Sequence, residues 1–190
     1  KGAIIPEVEA RDELLAARGQ RMAEAQASGE DAEVDALWQG ASKAERGEPE
    51  IVAPRIRSLI ARGDGEAAEK LLGQTLKRRW DGDLMRLYAV VPRAAEAPGE
   101  LLVRLERWLD QHGGDPDLVL VLAELAVHAQ LWGKADRYLE EALALANQPE
   151  RLLRLAGLFR ERNRPEEALT CLERARQGEE AAAGLTPPNT

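Results

Sequence analysis

The sequence is poor in several residue types that would announce a chemistry. It holds one cysteine, Cys171, together with one phenylalanine, two tyrosines and two histidines in 190 residues. A lone cysteine excludes an internal disulfide and leaves no Cys pair for a zinc or redox motif, which is compatible with a reducing compartment. Aromatic residues are only 4%, too few for a chain built on sheets, whose strands favour aromatic and β-branched side chains. No run approaches the roughly 18 apolar residues needed to span a bilayer, and the opening residues carry no signal-peptide pattern. A basic excess is missing too. The net charge is −8 and the pI near 5.0, which argues against nucleic acid as a partner, because binding phosphates needs a continuous basic surface.

What is present favours helix. Hydrophobic residues make up 44% and charged residues 32%, and the commonest are Leu, Ala, Glu and Arg, all strong helix formers. The length suits one core or a short repeat array. Charge is uneven, at −6 over residues 1–50, +2 over 51–100, −5 over 101–150 and +1 over 151–190. The compact basic cluster Lys77-Arg78-Arg79 reads as a helix end whose cations complement the carbonyl dipole. The chain opens on Lys1 and enters helical pattern almost at once, so we expect a domain excised from a longer protein.

The pattern repeats. A helix carrying Ala123 is followed by a turn placed at Trp132-Gly133 and a second helix carrying Ala135, Leu139 and Ala142. The next segment gives Leu155-Ala156, a turn at Asn163-Arg164-Pro165, then Ala168, Leu172 and Ala175. Upstream come Tyr88-Ala89, a turn near Ala97-Pro98-Gly99, then Leu101, Leu105 and Trp108; before these stand Ile56, Gly63-Asp64-Gly65, Ala68, Leu72 and Thr75. Second-helix anchors at 68, 101, 135 and 168 are spaced by 33, 34 and 33, close to the 34-residue period of tetratricopeptide repeats. Residues 9–46 read as a more degenerate hairpin joined at Ser28-Gly29-Glu30, with Trp38 placed 34 before Leu72.

The expected fold is therefore all-α, a right-handed solenoid of about five helical pairs. Residues 1–48 form the degenerate hairpin, repeats occupy about 49–81, 82–115, 116–148 and 149–177, and 178–190 is a flexible tail. Punctuation supports the frame. Asp115-Pro116 and Pro165-Glu166-Glu167 suit helix starts, and Gly113-Gly114 suits a left-handed helix end.

In this order, Leu76-Lys77-Arg78-Arg79-Trp80-Asp81, Leu84, Arg86-Leu87-Tyr88, Arg107-Trp108-Leu109, Asp115-Pro116 and Ala129-Gln130-Leu131-Trp132-Gly133-Lys134-Ala135 resemble the C-terminal repeat region of the HemY family. The resemblance covers residues 50–175. Members are proteobacterial inner-membrane proteins, encoded in heme-biosynthesis gene clusters, with membrane helices ahead of tetratricopeptide repeats. It implies a soluble domain anchored at the bacterial inner membrane by N-terminal segments that this chain lacks, with the cytoplasmic face favoured. A lipopolysaccharide-assembly protein with similar repeats ends in a cysteine-rich metal module, and no CxxC pair occurs here. The unrelated flavin-dependent protoporphyrinogen oxidase of the same name needs a dinucleotide fold. Gly63-Asp64-Gly65-Glu66-Ala67-Ala68 matches Gly-x-Gly-x-x-Ala but follows a helical run and has no βαβ context, so it reads as a turn.

Nothing in the sequence organises a nucleophile with a base, and we expect no enzyme and no cofactor. His112 sits at a helix end, His128 on the side expected to line a groove, and Cys171 reads as a buried apolar side chain. The four tryptophans read as wedges between hairpins. Stacked hairpins expose first-helix faces that hold segments of other proteins. Counting along the frame, that groove displays Ala53, Arg57, Arg86, Val90, Leu120, Glu124, Val127, His128, Leu153 and Arg160. The expected function is a protein-protein interaction scaffold whose partners are protein or peptide segments, among them, by the resemblance, heme-pathway enzymes. The alternatives are a carrier binding heme or a porphyrin through His128, a generic adaptor in envelope assembly, and self-association into a homo-oligomer through a terminal hairpin.

Overall fold

The computed structural model describes residues 4–91 and 98–182, and the side chains of 10–91 and 99–182. All regular structure among them is helical. Two compact units divide the chain, residues 1–94 and 95–190.

The first unit holds α1 (Ile4–Ala27), α2 (Asp31–Gly40), α3 (Pro49–Ala61), α4 (Gly65–Arg78) and the short α5 (Gly82–Arg86). Consecutive helices pair as hairpins, α1 with α2 and α3 with α4, and α3 also packs on both α1 and α2. Gly19 permits the α1 contact: a methyl group there would meet the Glu50 side chain at 2.9 Å. Met22, Ala25, Val34, Ala41 and Ile51 form the core of this end, with Leu15, Leu37 and Trp38 packed against it.

The second unit holds α6 (Pro98–Glu106), the single turn α7 (Leu109–His112), α8 (Pro116–His128), α9 (Trp132–Leu145), α10 (Pro149–Glu161) and α11 (Pro165–Ala182). Here α8 pairs with α9 and α10 with α11, while α10 packs on both α8 and α9, and α6 covers α8. The two units thus share one scheme in which the first helix of a hairpin rests on both helices of the hairpin before it.

One turn closes all four hairpins. Gly29, Gly63, Gln130 and Asn163 adopt positive φ, between +55° and +77°. In each case the next amide donates back five residues, Glu30 to Ala25, Asp64 to Leu59, Leu131 to Ala126 and Arg164 to Phe159. This left-handed cap satisfies helix-end carbonyls and reverses the chain. The turn recurs after 34 residues in the first unit and after 33 in the second. Gly is free to take the left-handed conformation and Asn tolerates it, whereas Gln130 carries a steric cost of order 1 kcal/mol.

Several expectations are corrected. The α8–α9 turn centres on Gln130, and Trp132 is the first residue of α9. Gly113 has φ −61° rather than a left-handed conformation, because α7 ends in a right-handed turn before Asp115 caps α8 by accepting from the Asp117 and Leu118 amides. The repeat at 82–115 is irregular: α5 lasts five residues and passes into a 3-10 turn at Leu87–Val90, and the boundary between the units falls inside it. Its expected turn at 97–99 lies partly outside the described residues. Helix α2 stops at Gly40, and α11 continues to Ala182, into the segment expected to be a tail; the remaining tail residues lie outside the described residues.

Candidate functional site

Of the ten residues expected to line a groove, four belong to the first unit and six to the second. In the first, Arg57 is exposed on α3 and Ala53 half-buried beside it. Arg86, half-buried at the end of α5, is bonded to Asp83, and Val90 in the following 3-10 turn is 59% exposed.

In the second unit the structure separates residues that the sequence grouped. Leu120 and Val127 are buried, as is every residue of α8 from Asp117 to Val127, so these two belong to the core rather than to an open surface. The reason is packing: α6, α9 and α10 all lie against α8, whose apolar residues run all round the helix. Glu124 is likewise buried and is bonded by Arg154 from α10, Nε at 2.9 Å and Nη2 at 2.7 Å. Burial pushes its pKa up, more than the attraction of Arg154 lowers it. His128 is exposed on the last turn of α8. Leu153 and Arg160 are both exposed on α10, two turns apart and therefore on one face, with Gly157 between them.

Sequence reading missed a system of ion pairs between successive hairpins. Asp117 on α8 takes a two-pronged bond from Arg151 on α10, at 2.9 and 2.7 Å. Asp136 on α9 accepts from Arg162, just past the end of α10, at 3.2 Å, and the first unit repeats this device. There Asp35 on α2 accepts from Arg62, just past the end of α3, at 3.1 Å, and from Arg55. Asp35 and Asp136 precede the second-helix residues Trp38 and Leu139 by three positions, which is the signal that could have found these two pairs. Burial raises the Asp35 pKa, but the bonds from Arg62 and Arg55 outweigh it and hold the carboxyl below its ordinary range. On α6, Glu106 accepts from Lys134 at 2.7 Å and from the Tyr138 hydroxyl at 2.7 Å. Burial raises its pKa as well, and these two donors bring it below the ordinary range.

Cys171 is buried and its pKa is raised by that burial, which keeps the thiol protonated and unreactive at neutral pH. The tryptophans wedge less deeply than expected. Trp38 packs in the first unit's core under Arg46, but Trp132 is 44% exposed, with the Arg162 guanidinium 4.2 Å from its ring centre. Lys77 and Arg78 end α4 in solvent as expected, and Arg79 pairs with Glu48. Asp64, central to the Gly-x-Gly-x-x-Ala stretch, caps α4 by accepting from the Ala67 amide, so that stretch is a turn between helices. Among the described residues no three His, Cys, Asp or Glu side chains converge as a metal site, and no helix is long and apolar enough to cross a membrane. Comparison with family models, curated proteins and solved structures finds no match to this chain.

Proposed function

We propose that this chain is a non-catalytic scaffold of tetratricopeptide type that holds a segment of a partner protein on the open faces of its first helices. The observation that carries the reading is the recurring turn, one left-handed residue and one five-residue bond at spacings of 33 or 34. Such a translational repeat is the signature of arrays that work as binding surfaces. In the second unit, Leu153 and Arg160 on α10 offer an apolar anchor and a cation suited to an acidic, apolar-tipped segment; in the first unit, Arg57 on α3 offers a cation by itself. The HemY resemblance extends the proposal to heme-pathway enzymes gathered at the bacterial inner membrane; without it, the same surfaces suit a general adaptor in envelope assembly.

Capture of partners from solubilised membranes tests the reading, with the whole chain as bait beside Arg57→Glu/Arg86→Glu and Leu153→Glu/Arg160→Glu variants. The expected result is loss of captured proteins with at least one double variant, circular dichroism being unchanged. Equal capture by all three baits would remove the first-helix faces from the function. A heme carrier would instead show a Soret shift on hemin titration that His128→Ala abolishes.

A further inference from the structure

We draw no further inference here: the strongest candidate, the exposed Leu131-Trp132 pair at the left-handed turn between α8 and α9, is an apolar tip whose neighbouring cations Lys134 and Arg162 are already bonded to Glu106 and Asp136, and nothing in the structure shows what covers it.

Discussion

Helices α8 and α10 are 13 residues each, both begin with proline, and their starts lie 33 residues apart. Nevertheless α8 is buried on all sides while α10 leaves Leu153, Gly157 and Arg160 exposed, at positions that correspond to the buried Leu120, Glu124 and Val127 of α8. The difference lies in what covers each helix: α8 has α6 before it and α10 after it, whereas no helix follows the last hairpin among the described residues. The sequences record the same fact. The covered helix is apolar around its whole circumference, as buried helices are, and the uncovered one keeps a polar face. In a stack of this kind, position in the order of hairpins decides whether a given register is core or surface.

The largest test of this comparison is the pair Leu139→Ala and Leu172→Ala, equivalent residues one period apart. Truncating the fully buried Leu139 should cost about 2–5 kcal/mol in urea unfolding, while Leu172→Ala should stay within about 0.5 kcal/mol. Similar losses for the two would mean that Leu172 is as enclosed as Leu139. A smaller effect is expected at the ion pairs. Asp117 and Arg151 are 4% and 13% exposed at their side chains, and Asp117→Ala should cost roughly 2 kcal/mol, below the usual range for a buried pair because Arg151 can turn toward solvent.

The smallest effect is on pH dependence. Burial raises the Glu124 pKa in the folded state, so the folded chain binds this proton more readily than the unfolded chain, and the contribution of Glu124 to stability grows as pH falls toward the ordinary carboxylate range. Glu106, held below that range by Lys134 and Tyr138 against the push of burial, has the opposite sign: its stabilisation is present above the range and is lost as pH falls through its lowered pKa. Glu124→Gln should therefore make acid unfolding begin at higher pH, and Glu106→Gln should make the acid limb less steep. Urea midpoints between pH 3 and 7 read both, and the same shift in both variants would contradict the assigned signs.

The parts of this architecture that rest on local chemistry were legible in the sequence. The Asp115 cap, the proline starts of α8 and α11, and the turns at Gly29, Gly63 and Asn163 follow from residues whose preferences act within a few positions. Gln130 escaped because nothing about glutamine favours a left-handed residue; the packing of α8 on α9 imposes it. The repeat at 82–115 has the right spacing of anchors but breaks into α5, a 3-10 turn and α6, since spacing alone does not guarantee a continuous helix. Exposure along the frame was legible in part: Arg57, Val90, His128, Leu153 and Arg160 are exposed, whereas Leu120, Glu124 and Val127 are buried. A frame that treats every hairpin alike cannot see that α8 is enclosed.

By itself the sequence determined the helical class, the period and most hairpin turns, because propensity, capping and the left-handed turn are properties of a few adjacent residues. Only the tertiary structure decided which copies of the repeated surface are filled by a neighbouring helix and which remain open, and which arginine meets which carboxylate. Those outcomes depend on contacts between segments about 30 residues apart, and burial is a property of the neighbour as much as of the residue.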